Sequence, residues 1–131
     1  MKTKFSFRNL AFFILSIIYF SGYSQTRLTD INPNGSSDPD HFVSLDGTLF
    51  FNAINYANSG DTISGIYKLV GSSAVLVKTD PAWTSVANLT VMGDYVYFSV
   101  IENYGVNTDS PHQLWRSNGV GAELIKTFRG Q

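Results

Sequence analysis

Residues 66–79 and 114–127 are two versions of one stretch. Shifted by 48 positions without a gap, Gly71/Gly119, Ala74/Ala122, Leu76/Leu124, Lys78/Lys126 and Thr79/Thr127 coincide, and Tyr67/Trp115, Lys68/Arg116 and Val77/Ile125 exchange like for like. An internal repeat restricts a chain to stacked copies of one small unit, because a single unit cannot bury its own apolar face. Tyr67, Gly71, Trp115 and Gly119 mark the structural positions of that unit.

The unit is built from strands. Beyond residue 25 no window carries apolar residues at helical spacing for more than two turns, whereas short runs rich in Val, Ile, Phe, Tyr and Thr recur between turn residues. Strands are expected over 26–31, 41–45, 48–54 and 65–70, with Asp46-Gly47 as a tight-hairpin signal. The cycle starts again with 74–79, 86–92, 95–101 and 113–117, and residues 122–128 open a third round. Four antiparallel strands in 48 residues is the size of one propeller blade. The expected fold is therefore all-β: propeller-like blades over residues 25–73 and 74–121 and the start of a third over 122–131. In the strand at 95–101, Val96, Phe98 and Val100 alternate with Tyr95, Tyr97 and Ile101, so cover is expected on both of its faces.

The front end stands apart. Lys2, Lys4 and Arg8 precede an apolar run at residues 10–20, and Gly22 and Ser24 are small residues at the positions a signal peptidase reads. Residues 1–24 read as a cleaved secretory signal, and the run is short for a bilayer span, so no stable membrane insertion is expected after cleavage. Its removal takes three of the nine basic residues and none of the ten acidic ones, leaving six against ten. A mildly acidic chain lacks the basic footprint of nucleic-acid binding. With no cysteine, it must hold together by packing alone.

Gln113-Leu114-Trp115-Arg116-Ser117-Asn118-Gly119 with the following Leu-Ile-Lys-Thr resembles the tandem repeat written E-L-W-x-x-D-G-T, found in exported bacterial proteins. The segments 29–37 and 45–51 resemble the other half of that repeat. Departures are Gln113 for Glu, Asn118 for Asp, Val120 for Thr and, in the first copy, Tyr67 for Trp with no acid-glycine-threonine turn. The resemblance implies a long, propeller-like protein, secreted or held at the surface of a Gram-negative-type cell. Two blades cannot close a ring, since closed propellers need at least about four. The expectation is an amino-terminal portion of a larger propeller, or self-association of copies.

Candidate chemistry is sparse. Asp30, Asn32 and Asn34, followed by a glycine, match the first half of a calcium loop, but position twelve is His41 where a bidentate Glu should stand. Asp38 and Asp40 could supply carboxylates in another geometry, and the competing reading is an ordinary turn cluster. No other cofactor motif appears. His41 and His112 are the only histidines and are far apart in sequence, and there is no nucleophile elbow. Asp38, Asp40, Asp61 and Asp109 are loop acids that a glycosidase could pair, and Arg27, Arg116 and Arg129 are three cations that a sialidase-like site would converge. Arg116 repeats as Lys68, which favours a surface position of the blade. Trp115 repeats as Tyr67, which favours packing over a sugar platform. Tyr56 and Tyr104, in matching loops, are the better candidates for a glycan or protein contact. Asn88-Leu89-Thr90 is a glycosylation sequon inside an expected strand. The expectation is a non-catalytic exported scaffold, adhesin or binding module; the alternative is a carbohydrate-active propeller fragment.

Overall fold

The computed structural model describes residues 29–33, 35–56, 62–102 and 110–129. The expected signal segment lies outside them. Eight strands follow in order: β1 (Asp40–Leu45), β2 (Thr48–Tyr56), β3 (Thr62–Val70), β4 (Ser73–Thr79), β5 (Trp83–Met92), β6 (Tyr95–Glu102), β7 (His112–Ser117) and β8 (Ala122–Phe128). They form two antiparallel four-stranded sheets, β1-β2-β3-β4 and β5-β6-β7-β8, and no helix occurs among the described residues.

The division into sheets corrects the expected units. Residues 74–79 do not begin the second unit, and residues 122–128 do not begin a third: β4 is the fourth strand of the first sheet and β8 the fourth of the second. The reason is turn length. Only Gly71 and Ser72 separate β3 from β4, and Gly71 takes a φ of 60°. A two-residue reversal forces its flanking strands to pair; it cannot reach another sheet about 10 Å away. The crossing is made instead by residues 80–82, where Pro81 has no N–H for a ladder. There Asp80 Oδ1 accepts the Ala82 N–H at 3.0 Å and the Asp80 carbonyl accepts that of Trp83 at 2.9 Å. The expected first strand is also corrected: residues 29–31 are not strand, and 26–28 lie outside the described residues.

Both sheets carry the same ladder. Gly65↔Thr79, Ile66↔Lys78, Tyr67↔Leu76 and Lys68↔Val75 recur 48 residues later as Gln113↔Thr127, Leu114↔Lys126, Trp115↔Leu124 and Arg116↔Glu123, with the bulge in the same place. For β1–β2 against β5–β6 the spacing is 47, so Leu45↔Thr48 becomes Met92↔Tyr95 and Asp40↔Asn52 becomes Ala87↔Ser99. Even the bulge residues correspond. His41 and Asn88 have φ of 52° and 57°, and each reaches the neighbouring strand, His41 Nδ1 lying 3.3 Å from Asn52 Oδ1 and Asn88 Nδ2 donating to Ser99 Oγ at 2.8 Å. A residue in the left-handed region inside a strand is tolerated where such a bulge absorbs it.

The core lies between the sheets. Leu45, Phe50 and Ile66 of the first meet Trp83, Val86, Leu89, Val96, Phe98 and Val100 of the second, with Val43, Val77, Trp115 and Ala122 at the margin. Trp83 sets its edge against Phe98 and Trp115, at centroid separations of 6.1 and 5.1 Å. Ser64 Oγ accepts the Val86 N–H across the junction at 3.1 Å. Cover on both faces of β6 is not what the described residues provide. Its Val96, Phe98 and Val100 are buried, whereas Tyr95, Tyr97 and Ile101 stay partly exposed, because the other sheet supplies only one layer.

Candidate functional site

The matching ladders determine what each open surface is made of. Counterparts of the second sheet's buried face lie on the outer face of the first. Phe98, Val100, Trp115, Ala122 and Leu89 correspond to Phe51, Ala53, Tyr67, Ala74 and Phe42. Phe51, Ala53 and Tyr67 form their own buried cluster with Ile31 and Ala74 against it, and Phe51 stacks between Phe42 and Tyr67 at 5.6 and 5.9 Å. Burial raises the Tyr67 phenol above its ordinary value. Beside this cluster runs an apolar groove of about 240 Å³ lined by Ile31, Pro39, Phe42, Leu49, Phe51 and Leu69 among others.

The outer face of the second sheet holds the counterparts of the first sheet's buried face. Leu45, Phe50, Ile66 and Lys68 become Met92, Tyr97, Leu114 and Arg116. Leu45 is 7% exposed and Met92 63%. Arg116 is bound by Glu123 through its Nε and lies 4.3 Å from the centre of the Tyr95 ring. Its pKa is raised by hydrogen bonds to Tyr97 and then Glu123, which keeps it a permanent cation. Tyr95, Arg116, Val120 and Glu123 border a cleft of about 380 Å³.

The residues singled out in the sequence are dispersed. Trp115 packs at the junction, where its indole N–H donates to Gln113 Oε1 at 2.7 Å. Tyr67 packs on the opposite, open face of its own sheet. Gly119 has a φ of 91°, and a Cβ there would stand 3.0 Å from Phe50 of the other sheet, while a Cβ at Gly71 would meet nothing within 4 Å. In the expected calcium loop, Asn32 is buried and donates through Nδ2 to the Ser36 carbonyl at 2.7 Å, Asp38 accepts the Ser36 hydroxyl, and Asp40 Oδ1 accepts the His41 N–H at 2.7 Å. Asp30, the first position of that loop, lies outside any strand. No group of three or more His, Asp or Glu side chains that could hold a metal occurs among the described residues. Tyr56 ends β2 paired with Thr62; its side chain, and Asn34, Asp61, Tyr104 and Asp109 altogether, lie outside the described residues.

Sequence reasoning missed Phe42 and Met92. Their signal was available in the 47-residue spacing, which pairs Phe42 with Leu89 and Leu45 with Met92. The spacing of 48 around Gly71 and Gly119 conceals that correspondence. Compared with family models, curated proteins and solved structures, the chain matches none.

Proposed function

We propose that the chain is a non-catalytic exported repeat module, a scaffold, adhesin or binding surface built from propeller-like blades of the E-L-W-x-x-D-G-T type. The observation that carries this reading is the head-to-tail arrangement of two sheets with one ladder. The face turned to the junction in one sheet is the outer face in the other, as in a stack of blades and unlike a sandwich of two like faces. Export follows from the basic, apolar and small-residue order of residues 1–24. The open aromatic and apolar faces suit macromolecular contact rather than turnover of a small substrate.

Expression of the full coding sequence in a Gram-negative host tests the compartment. A product beginning at Gln25 and recovered outside the inner membrane is expected; a cytoplasmic product that keeps Met1 sinks the export reading. Glycan-array binding without hydrolysis is the expected outcome for the purified product. Glycoside hydrolysis lost on Asp109→Asn reinstates the carbohydrate-active alternative.

A further inference from the structure

We propose that the two open faces are the halves of a second junction, and that a second copy of this chain docks head-to-tail, its second sheet on the first sheet of its neighbour. The inference rests on the proposed stacking of blade-like units and names what covers their open faces. It follows from continuity with the junction already formed. Leu45, Phe50 and Ile66 of the junction have the counterparts Met92, Tyr97 and Leu114 on the outer face of the second sheet, and Leu89, Phe98 and Val100 have the counterparts Phe42, Phe51 and Ala53 on the outer face of the first, where Ile31 already lies against part of the cluster.

The correspondence holds residue by residue. Leu89 is 7% exposed in the junction and its counterpart Phe42 is 55% exposed on the outer face of the first sheet. Leu45 and Met92 stand in the same relation on the partner half. The Phe50 ring occupies the space that a Cβ at Gly119 would need, and in the docked pair Tyr97 takes the place of Phe50 and Gly71 that of Gly119, filling the open space beside Gly71. Lys78 crosses the existing junction to lie 5.9 Å from the ring centres of both Trp83 and Trp115. Its counterpart Lys126 lies 5.5 Å over Phe128 of its own strand; on docking it reaches Tyr67. Ile31 now covers part of Phe51 and Tyr67 from the position 47 residues before Lys78, so the incoming β8 displaces it.

Such a contact joins two different patches and is therefore heterologous, which propagates or closes into a ring according to the rotation per copy. That property supplies the test. Protein purified from the full coding sequence is examined by sedimentation velocity up to about 100 μM, a range that detects weak interfaces. Association is expected for the natural chain. Phe42→Glu damages only the first half and Met92→Glu only the second, and each alone is expected to be monomeric. Mixed in equal amounts they are expected to form a dimer and nothing larger, through the one intact pair of faces. Ala74→Arg and Arg116→Glu repeat the pair should either first variant lose its far-ultraviolet spectrum. A natural chain that stays monomeric overturns the proposal, as does association that survives both single variants. Failure of the mixture to restore a dimer also overturns it, since it indicates contact between like faces. Export and glycan binding are read separately and do not change with these outcomes.

Discussion

Gly71 and Gly119 occupy the same place in two hairpins of matching register, both with positive φ, yet a Cβ at the first would meet nothing within 4 Å and a Cβ at the second would stand 3.0 Å from the ring of Phe50. The same contrast separates Leu45 from Met92, Leu89 from Phe42 and Lys78 from Lys126. Each pair holds one position in the ladder; one member lies in the junction and the other on an open face. Local sequence assigns both members the same backbone role, whereas the neighbouring sheet decides how much energy the side chain carries. Substitutions made in pairs therefore separate the energetics of the strand from those of the stack.

The largest effect is expected from Trp83→Ala, which removes a 1%-exposed side chain from the centre of the junction. Loss of about 3–5 kcal/mol approaches the whole stability of a small domain, so urea unfolding followed by tryptophan fluorescence should show a much earlier midpoint or no cooperative transition. Next, Leu45→Ala should cost about 2–5 kcal/mol and Met92→Ala no more than about 0.5 kcal/mol. These values refer to protein dilute enough to be monomeric by sedimentation; equal losses there would break the comparison, by showing that the outer face of the second sheet is covered within a single molecule.

The glycines sharpen it further. Both Gly→Ala variants lose about 1 kcal/mol or more to left-handed backbone strain. Gly119→Ala should lose about 1–3 kcal/mol beyond that, because its Cβ meets Phe50 inside a packed core. The difference between the two unfolding midpoints isolates the contact from the strain. Smaller still is the cation over two indoles: Lys78→Met should cost about 0.5–1 kcal/mol and Lys126→Met close to nothing by the same measurement. The smallest effect is a dependence on pH. Burial raises the Tyr67 pKa, so the folded state holds that proton more firmly than the unfolded chain. Stability is accordingly intact below the ordinary phenol value of 10.0 and is lost as pH rises through the higher folded value. Tyr67→Phe should flatten the alkaline limb of a stability-versus-pH curve.

Much of the strand pattern was legible because turn chemistry is local. Asp46-Gly47, Gly71-Ser72 and Asn118-Gly119 separate runs whose alternation or apolar content reads as strand, and every expected strand from residue 41 onward has its counterpart in the structure. The bulges were not legible. His41 entered the reading as a failed calcium position and Asn88 as a sequon, but both are left-handed residues that tie one strand to the next. Asparagine tolerates that conformation better than most residues, which is a cue that a run of β-formers conceals. The aromatic positions divided in the same way. Trp115 and Tyr67 were legible as packing residues from their repetition, but nothing local told that one packs inside the junction and the other on the open side.

The sequence by itself determined the strands, the turns between them and the 48-residue spacing, because these depend on side-chain alternation and on which residues tolerate a reversal. Only the tertiary structure decided which four strands share a sheet and which face of each sheet is buried. Those choices rest on hydrogen bonds between strands and on contact between layers, and neither is carried by any single stretch of chain. The spacing of 48 holds for β3 and β4 and that of 47 for β1 and β2, so one residue more between β6 and β7 shifts the correspondence of the two halves. Since strand faces alternate with every residue, that single position separates the face a residue is expected to occupy from the one it takes.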